Sequence, residues 1–383
     1  MSAYDVLVLG AGPAGSALAR RLASAGARVA LIGAASRPGI EGVSERSRAL
    51  LLEEGLEPDA VVGPFARRGA WGSRAIEGRE WLVARDRLAE ALRSRAVAAG
   101  AYRFDAIANQ VWRAHGCWHV ALRDGVTLES PVLVESRGRR GPETRGPSLL
   151  ALGIRYRIPP VTAAETRIET LDAGWCWWAR FGESLWLQLV GAPRSSHPLR
   201  WAAAAAARSP ALAEALAGAA PEPAPASASV HFVACAAHAR LGIGAVAPGR
   251  WRCGDAAVAL DPLSGQGIHN ALSSARLVAT AIRSVAEGGD ELPAQRFVAS
   301  RHAERFARSV GVAWDFYREN RERGEFWSRA AAGYGALHQA LLPQVRETRL
   351  ERRPVLLHDR IVEREVLVSP AHPRGVWSTS LGS

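Results

Sequence analysis

The chain has 383 residues, 48% of them hydrophobic, which predicts a globular protein with a sizeable buried core. The formal net charge is +11, and all 48 basic residues are Arg. These Arg residues are spread along the chain without a basic block, so we expect no nucleic acid partner. The four Cys residues form no C-x-x-C pair, so we expect neither a disulfide framework nor a metal site.

Membrane and export signals are not expected. Arg, Gly or Pro interrupts every apolar run before it reaches the roughly 20 residues of a membrane span. The chain enters a strand pattern at once, without the basic and apolar regions of a signal peptide. We therefore expect no membrane partner and a cytoplasmic location.

The first predicted elements form a β–α–β unit, made of residues 4–9, 16–25 and 28–32. The first turn reads Gly10-Ala-Gly12-Pro-Ala-Gly15, the G-x-G-x-x-G spacing of dinucleotide-binding sites. Gly10 allows a tight turn, Gly12 lets the backbone approach a pyrophosphate, and Gly15 allows close helix–strand packing. This pattern in this position predicts a nucleotide site.

The acid that usually holds the ribose, about 20 residues after this turn, is missing. The second strand ends in Ile32-Gly-Ala-Ala-Ser36-Arg37, and the next acid is Glu41. We expect the ribose to be held by backbone groups, by Ser36 or Arg37, or less tightly.

The next segments predict two helices that follow strands or loops. Ser44 is expected to cap the first, and Arg46 near its start opposes the helix dipole, which favours a phosphate contact over a solvated helix end. The second is predicted over residues 87–99, with Asp86 as its cap.

The middle of the chain predicts sheet, because residues 152–190 alternate. Four Trp residues fall between Trp175 and Trp186. On a strand, Trp175 and Trp177 share one face and Trp178 the other. Trp186 is expected on the next strand, so its face cannot be read from this alternation. The Trp-rich face is either a buried sheet face or an aromatic wall beside a planar substrate or flavin.

The later segments predict an Ala-rich helix, a Pro/Ala linker, a strand that contains His231, a long helical region and an irregular tail. The first four cover residues 202–217, 221–225, 229–235 and 292–342, and the tail contains Pro354, Pro370 and Pro373. His231 is a candidate for a pocket, although a single His is more often structural.

Residues 254–268 carry the second motif, Gly-Asp-Ala-Ala-Val-Ala-Leu-Asp-Pro-Leu-Ser-Gly-Gln-Gly-Ile, before a helix predicted over 270–285. Pro262 interrupts the preceding segment, and two glycines allow close backbone approach. The free N–H groups at Gly265–Ile268 favour a flat or anionic partner.

The two motifs together resemble those of p-hydroxybenzoate-hydroxylase-type FAD-binding flavoproteins. Arg85-x-x-Leu88 and the turn ending at Gly138 also stand where that family has matching elements, with Glu135 replacing the usual Asp. Asp261–Gly267, Glu41–Arg46 and Gly174–Trp178 are most similar to the flavoproteins that mature tryptophylquinone cofactors. The neighbouring halogenases need a catalytic Lys and a W-x-W-x-I-P element, and both are absent from this sequence.

The resemblance implies an α/β fold in which a Rossmann-like FAD-binding domain is interleaved with a mostly antiparallel β-sheet substrate domain, followed by C-terminal helices. The FAD-binding domain is expected to comprise residues 1–70, 84–150 and 245–290. The substrate domain is expected at 71–83 and 151–244, and the helical segment and tail at 291–383.

The resemblance also implies the site residues. FAD would be bound by Gly10, Gly12, Pro13, Ala14, Gly15, Arg46, Arg85, Asp255, Pro262, Gly265, Gln266, Gly267 and Ile268. His231 and Trp178 are the catalytic candidates, and no metal is expected.

The implied function is an FAD-dependent monooxygenase that hydroxylates an indole-type ring through a flavin C4a-hydroperoxide. The favoured substrate is a Trp side chain in a peptide or small protein during quinone-cofactor maturation. With one G-x-G-x-x-G motif, the reductant would be transiently bound NAD(P)H or reduced flavin from a partner reductase. The alternatives are a reductase of the geranylgeranyl-reductase type, a flavin-binding partner without turnover, and a halogenase, which the missing Lys disfavours.

Overall fold

The computed structural model describes residues 3–34, 36, 38–57, 60–139, 141–192, 197–223, 232–242, 247–342, 349–357 and 359–368. Two predicted site residues, His231 and Arg37, lie outside the described residues. Among the described helices, none combines the length and the apolar character needed to cross a bilayer.

The strands are β1 Val6–Leu9, β2 Val29–Ile32, β3 Ile40–Val43, β4 Val62–Trp71, β5 Arg74–Ala84, β6 Tyr102–Phe104, β7 Ala108–Ala114, β8 Cys117–Leu122, β9 Thr127–Ser130, β10 Val132–Glu135, β11 Glu143–Arg145, β12 Leu150–Leu171, β13 Gly174–Gly191, β14 Ala220–Pro221, β15 Phe232–Ala236, β16 Arg240–Gly242, β17 Arg250–Arg252, β18 Val258–Ala259, β19 Arg349–Leu357 and β20 Arg360–Val368. The α-helices are α1 Pro13–Ala23, α2 Glu45–Glu53, α3 Arg85–Ala98, α4 Pro198–Ala206, α5 Pro210–Ala215, α6 Gly267–Ala286, α7 Glu291–Glu319 and α8 Glu325–Leu341.

A five-stranded parallel sheet in the order β17-β10-β1-β2-β6 forms the first layer. Alternate residues of β1 point to opposite faces. Val6 and Val8 pack in the core that includes α1, α3 and α6. Leu7 and Leu9 pack against the small antiparallel sheet of β7, β8 and β9. Both faces of the parallel sheet are therefore covered, which explains why its inner strands β1 and β2 are apolar throughout.

A larger sheet in the order β13-β12-β4-β5-β3 forms the second layer, and β14 and β15 also pair with β12. Its pairings are antiparallel except for that between β12 and β4. Trp175 and Trp177 pack in the core shared with α7 and α8, whereas Trp178 packs on the other face with α4 and α5. The predicted division of the Trp residues between two faces is confirmed.

The C-terminal helices are attached to the large sheet through indole N–H groups. Trp327 donates a hydrogen bond to the carbonyl oxygen of Leu171 at 2.7 Å, and Trp71 donates to that of Phe316 at 3.1 Å. Both indoles are almost fully buried. Helices α7 and α8 therefore cover the Trp-rich face of the sheet.

Three secondary-structure predictions were wrong. The Ala-rich helix is two helices, because Pro210 cannot continue α4 and Ser209 instead caps α5 by accepting from the Leu212 N–H at 3.0 Å. Helix α3 begins at Arg85, so Asp86 lies in its first turn rather than at its cap. Part of the tail forms the antiparallel β19–β20 hairpin, which the prolines in that region obscured.

The large sheet extends beyond the predicted boundaries of the substrate domain. Residues 71–83 and 151–191 lie in the large sheet, together with β3 and nearly all of β4, which the prediction assigned to the FAD-binding part. Strand β3 therefore brings residues 40–43 next to the hairpin of β4 and β5.

Candidate active site between the two sheets

The turn after β1 leaves the N-terminus of α1 open. Gly10 has a φ of +111°, and a Cβ on it would lie 2.4 Å from the carbonyl oxygen of Ser136. A Cβ on Gly15 would lie 1.9 Å from the carbonyl oxygen of Gly10, whereas one on Gly12 would meet nothing within 4 Å. Within the described chain, α1 has no side-chain cap and no acid in its first turn. The first N–H groups of α1 thus fit an anion such as a pyrophosphate.

The side chain of Arg93, from α3, reaches the segment after β2, where the ribose-binding acid is missing. Its side chain is buried, and it donates from Nη1 to the carbonyl oxygen of Ala34 at 3.2 Å and pairs with Glu90 at 2.8 Å. The Nε of Arg93 has no hydrogen-bond partner among the described residues. Sequence analysis missed Arg93, because it lies about 60 residues away along the chain.

The second motif forms a short turn followed by α6. Asp261 accepts from the Leu263 N–H at 2.9 Å, and Gly265 ends the turn with a φ of +58°. Helix α6 then begins at Gly267, and no side-chain cap covers its N-terminus among the described residues. Its first N–H groups would therefore stabilise negative charge, as the sequence predicts.

This turn forms one wall of a cleft between the two sheets, which we call the central cleft. Its lining from the second motif is Asp255, Leu260, Asp261, Pro262, Leu263, Gly265, Gly267 and Ile268. Residues 38–42 and Arg85 form another part of the lining, and β12, β13 and β15 contribute most of the rest. The lining is completed by Arg67, Glu80, Arg139 and Ala237.

Charged pairs lie along the cofactor side of the central cleft. Arg85 lies 3.2 Å from Glu41, whose negative charge raises the pKa of the arginine above its ordinary value. Asp255 lies 3.8 Å from Arg139. Four charged groups are thus available to polar parts of a bound cofactor, and two of them, Arg85 and Asp255, were predicted.

Three indole rings form the opposite wall of the central cleft, those of Trp175, Trp177 and Trp186. The ring of Trp186 fits because residue 153 is Gly, whose added Cβ would lie 2.3 Å from the indole. The expectation that Trp186 lies on the next strand was wrong, because β13 runs on from Gly174 to Gly191 and contains it. An irregularity in the pairing of β12 and β13 separates Trp186 from Trp177.

A buried carboxylate, Glu80, lies between these indoles and the cofactor side of the central cleft. It accepts from Trp177 Nε1 at 3.1 Å, and Arg67 lies 3.7 Å from its other oxygen. A Cβ on Gly42 would lie 2.4 Å from Glu80 Oε1, so this carboxylate packs directly against β3. Sequence analysis missed Glu80. The signal that could have indicated it is its position directly before the apolar residues 81–83, which are buried.

Asp261 connects the second motif to the C-terminal helices. Its Oδ2 accepts hydrogen bonds from Tyr334 at 2.6 Å and Tyr317 at 3.2 Å. Trp175 Nε1 donates to the Tyr317 oxygen at 3.3 Å. Burial raises the pKa of Asp261, and the hydrogen bonds from Tyr334 and Leu263 oppose that shift. This network fixes the turn relative to the indole wall.

The structure does not bring every predicted residue to the central cleft. Trp178 lies on the opposite face of β13, beneath α4 and α5, because neighbouring strand residues alternate. Arg46 and Gln266 line a separate cavity on the α7 side of the same turn. Of the two catalytic candidates, Trp178 is therefore wrong and His231 is outside the described residues.

Comparisons with known proteins bear on the fold and the family. A family model described as lycopene cyclase protein matches residues 5–157. The solved structure of "peptidyl tryptophan dihydroxylase QhpG essential for tryptophylquinone cofactor biogenesis" aligns with a TM-score of 0.82 and 31% identity, over 98% of this chain and 90% of that chain. This chain belongs to the same family as QhpG.

More distant structures share the fold. The flavin-dependent halogenase CmlS aligns at a TM-score of 0.73 and 16% identity, over 97% of this chain and 86% of its own. The flavin-dependent brominase Bmp2 aligns at 0.70 and 19%, over 88% and 93%. No curated protein sequence matches significantly. The predicted α/β fold and the resemblance to tryptophan-modifying flavoproteins are confirmed, and the family is one of flavin-dependent enzymes.

Proposed function

We propose that this protein is an FAD-dependent monooxygenase that hydroxylates the indole ring of a Trp side chain in a peptide or protein, during maturation of a tryptophylquinone cofactor. The observation that carries the proposal is the central cleft, where the uncapped start of α6 faces the same space as three indoles and Glu80. The 31% identity to QhpG, a peptidyl tryptophan dihydroxylase, supports the same substrate class.

In this proposal the parallel sheet and its helices bind FAD, and the large sheet binds the substrate. The pyrophosphate would lie at Gly10, Gly12, Pro13, Ala14 and Gly15. The ribityl and flavin parts would contact Arg85, Asp255, Pro262, Gly265, Gly267 and Ile268. The chemistry that FAD supplies when bound and reduced is the activation of O2.

The residues of the chain would orient the reaction. The first N–H groups of α6 stabilise negative charge on the cofactor side of the central cleft. The indole wall excludes water and offers flat faces for stacking an aromatic ring. Glu80 Oε1 would accept the proton that the ring loses when a hydroxyl group replaces hydrogen, and Arg67 lies 3.7 Å from that oxygen.

Each hydroxylation places one atom of O2 on the ring and releases the other as water. Two electrons and two protons must therefore be supplied, and NAD(P)H with one proton, or a reduced flavin, balances the reaction. We propose transient NAD(P)H binding or a partner flavin reductase as the source.

The test is to incubate the FAD-loaded protein with a reductant, O2 and Trp-containing peptides, and to analyse the peptides by mass spectrometry. We expect oxygen to be added at Trp, with label from ¹⁸O2, and no addition when the same peptide carries Phe. Double-bond reduction without O2 uptake would instead indicate a reductase. Halide incorporation that requires added chloride or bromide would indicate a halogenase.

A further inference from the structure

A second cavity of ≈ 340 Å³ lies on the other side of the turn that borders the central cleft. Gly265 and Gly267 line the central cleft, whereas Ser264 and Gln266 line this cavity. The alternation shows that one short segment of backbone separates the two spaces. Helix α7 forms the far side of the cavity, and we call it the arginine cavity.

Arginine side chains from two helices line the arginine cavity. Arg46 comes from α2, and Arg305 and Arg308 come from α7. Among the described residues that line it, the one acid is Glu304, which already pairs with Arg301 at 3.0 Å. In the described parts of the chain, neither Arg46 nor Arg308 forms an ion pair.

These cations are close enough to repel one another. Burial, and then the charge of Arg308, lowers the pKa of Arg305, which donates to Asn270 Oδ1 at 3.0 Å. Burial, followed by the charges of Arg305 and Arg46, lowers the pKa of His269. A bound anion would relieve this repulsion, and guanidinium groups bind phosphate oxygens with paired hydrogen bonds.

Hydrogen-bond donors complete the arrangement. The Ser309 hydroxyl lines the arginine cavity and is buried, without a partner among the described residues. A buried hydroxyl without a partner costs free energy that a ligand oxygen would recover. The glycine-rich turn at Gly10–Gly15 does not line this cavity, so an anion here is distinct from the pyrophosphate of FAD.

We propose that the arginine cavity binds the phosphate group of the reductant, a nicotinamide dinucleotide or a reduced flavin mononucleotide. This inference rests on the proposed function, because monooxygenation needs two external electrons for each oxygen inserted. The arginine cavity and the central cleft lie on opposite sides of the turn before α6. A phosphate bound in the arginine cavity would therefore keep the attached redox group close to this turn.

The test measures binding rather than turnover. Oxidised, FAD-loaded protein is titrated calorimetrically with pyrophosphate, NAD⁺, NADP⁺ and FMN, which cannot reduce the flavin, for the native chain and an R305Q/R308Q variant. We expect about tenfold or greater weakening in the double variant, because two of the guanidinium groups that would bind the phosphate oxygens are removed. The matched control is Arg321→Gln, an exposed arginine paired with Glu322 outside the cavity, and it should bind as the native chain does.

Each outcome decides the proposal. Competition between pyrophosphate and a nicotinamide dinucleotide assigns the cavity to NAD(P)H, and competition with FMN assigns it to reduced flavin. Binding of pyrophosphate alone, or equal binding by the double variant, overturns the proposal. Peptide hydroxylation by protein reduced with dithionite is assayed separately, so that failure of the proposed function is distinguished from failure of the reductant site.

Discussion

Glu80 is the buried acid that contacts both an indole of the wall and the strand on the cofactor side. If its carboxylate accepts the ring proton, Glu80→Gln should reduce kcat for Trp hydroxylation about hundredfold, the scale of a lost general base, with a smaller change in KM. The measurement is steady-state kinetics on the Trp peptide. Glu77→Gln, an exposed residue on the same strand, is the matched control and should retain activity. An equal loss in both variants would contradict the role.

His302 gives a second prediction at the residue scale. Burial, and then the charge of Arg305, lowers its pKa from 6.5 to about 4, and its Nε2 lies 3.1 Å from the Ser274 hydroxyl. Between these two pKa values the unfolded chain binds more protons than the folded one. The free energy of unfolding should therefore fall by about 3 kcal/mol as the pH drops through this range, and should not change above it.

Urea unfolding at several pH values checks the behaviour of His302. In His302→Gln, which retains a hydrogen-bonding side chain, the decline between pH 6.5 and 4 should be about 3 kcal/mol smaller. His115→Gln, at an exposed position, is the control. Parallel slopes in the native chain and His302→Gln would contradict the assignment.

At the scale of elements, the turn before α6 depends on helices that are distant in sequence. Tyr334→Phe removes the 2.6 Å hydrogen bond to Asp261 and should lower the free energy of unfolding by about 1–3 kcal/mol, because a buried oxygen loses a partner. The affinity for FAD should also fall, since the turn loses a contact that orients it. Tyr102→Phe, at an exposed position, should change neither quantity. Urea unfolding and FAD titration measure the two effects.

The elements also show which local patterns were informative. Strict alternation placed Trp175 and Trp177 on one face of β13, because a strand has a period of two. It could not place Trp186 beyond the bulge, and the Ala-rich stretch concealed the break at Pro210. A local pattern predicts the face of a side chain or the length of a helix where the period is continuous. It does not do so where a bulge or a proline interrupts that period.

At the scale of the whole molecule, α7 and α8 hold the second motif against the large sheet. Trp327, in the first turn of α8, is fully buried and donates a hydrogen bond to Leu171 in the hairpin of β12 and β13. Trp327→Ala should therefore cost about 3–5 kcal/mol of unfolding free energy, through lost burial and an unpaired Leu171 carbonyl. Trp112→Ala, at a position 40% exposed, is the control and should cost much less. Chemical denaturation followed by circular dichroism checks both.

The molecule as a whole brings together groups that no short motif contains. Glu80 from β5, the indoles of β13 and the start of α6 line one cleft although they are separated by about 190 residues. The arginine cavity likewise combines α2, α6 and α7. The sequence could indicate its residues only one at a time, as it did for Arg46. The positive charge of the cavity results from the packing of the helices, which brings the arginines together.

The sequence by itself determined the parallel sheet, the two cofactor motifs, the α/β class and the family. These properties depend on residues a few positions apart, where glycine spacing and apolar alternation act directly on the backbone. Only the tertiary structure decided which Trp residues share a cleft, that Glu80 faces them and that Arg46 lies in a second cavity. Those placements depend on strand pairing and helix packing between distant segments, and side-chain burial follows from that packing rather than from the local pattern.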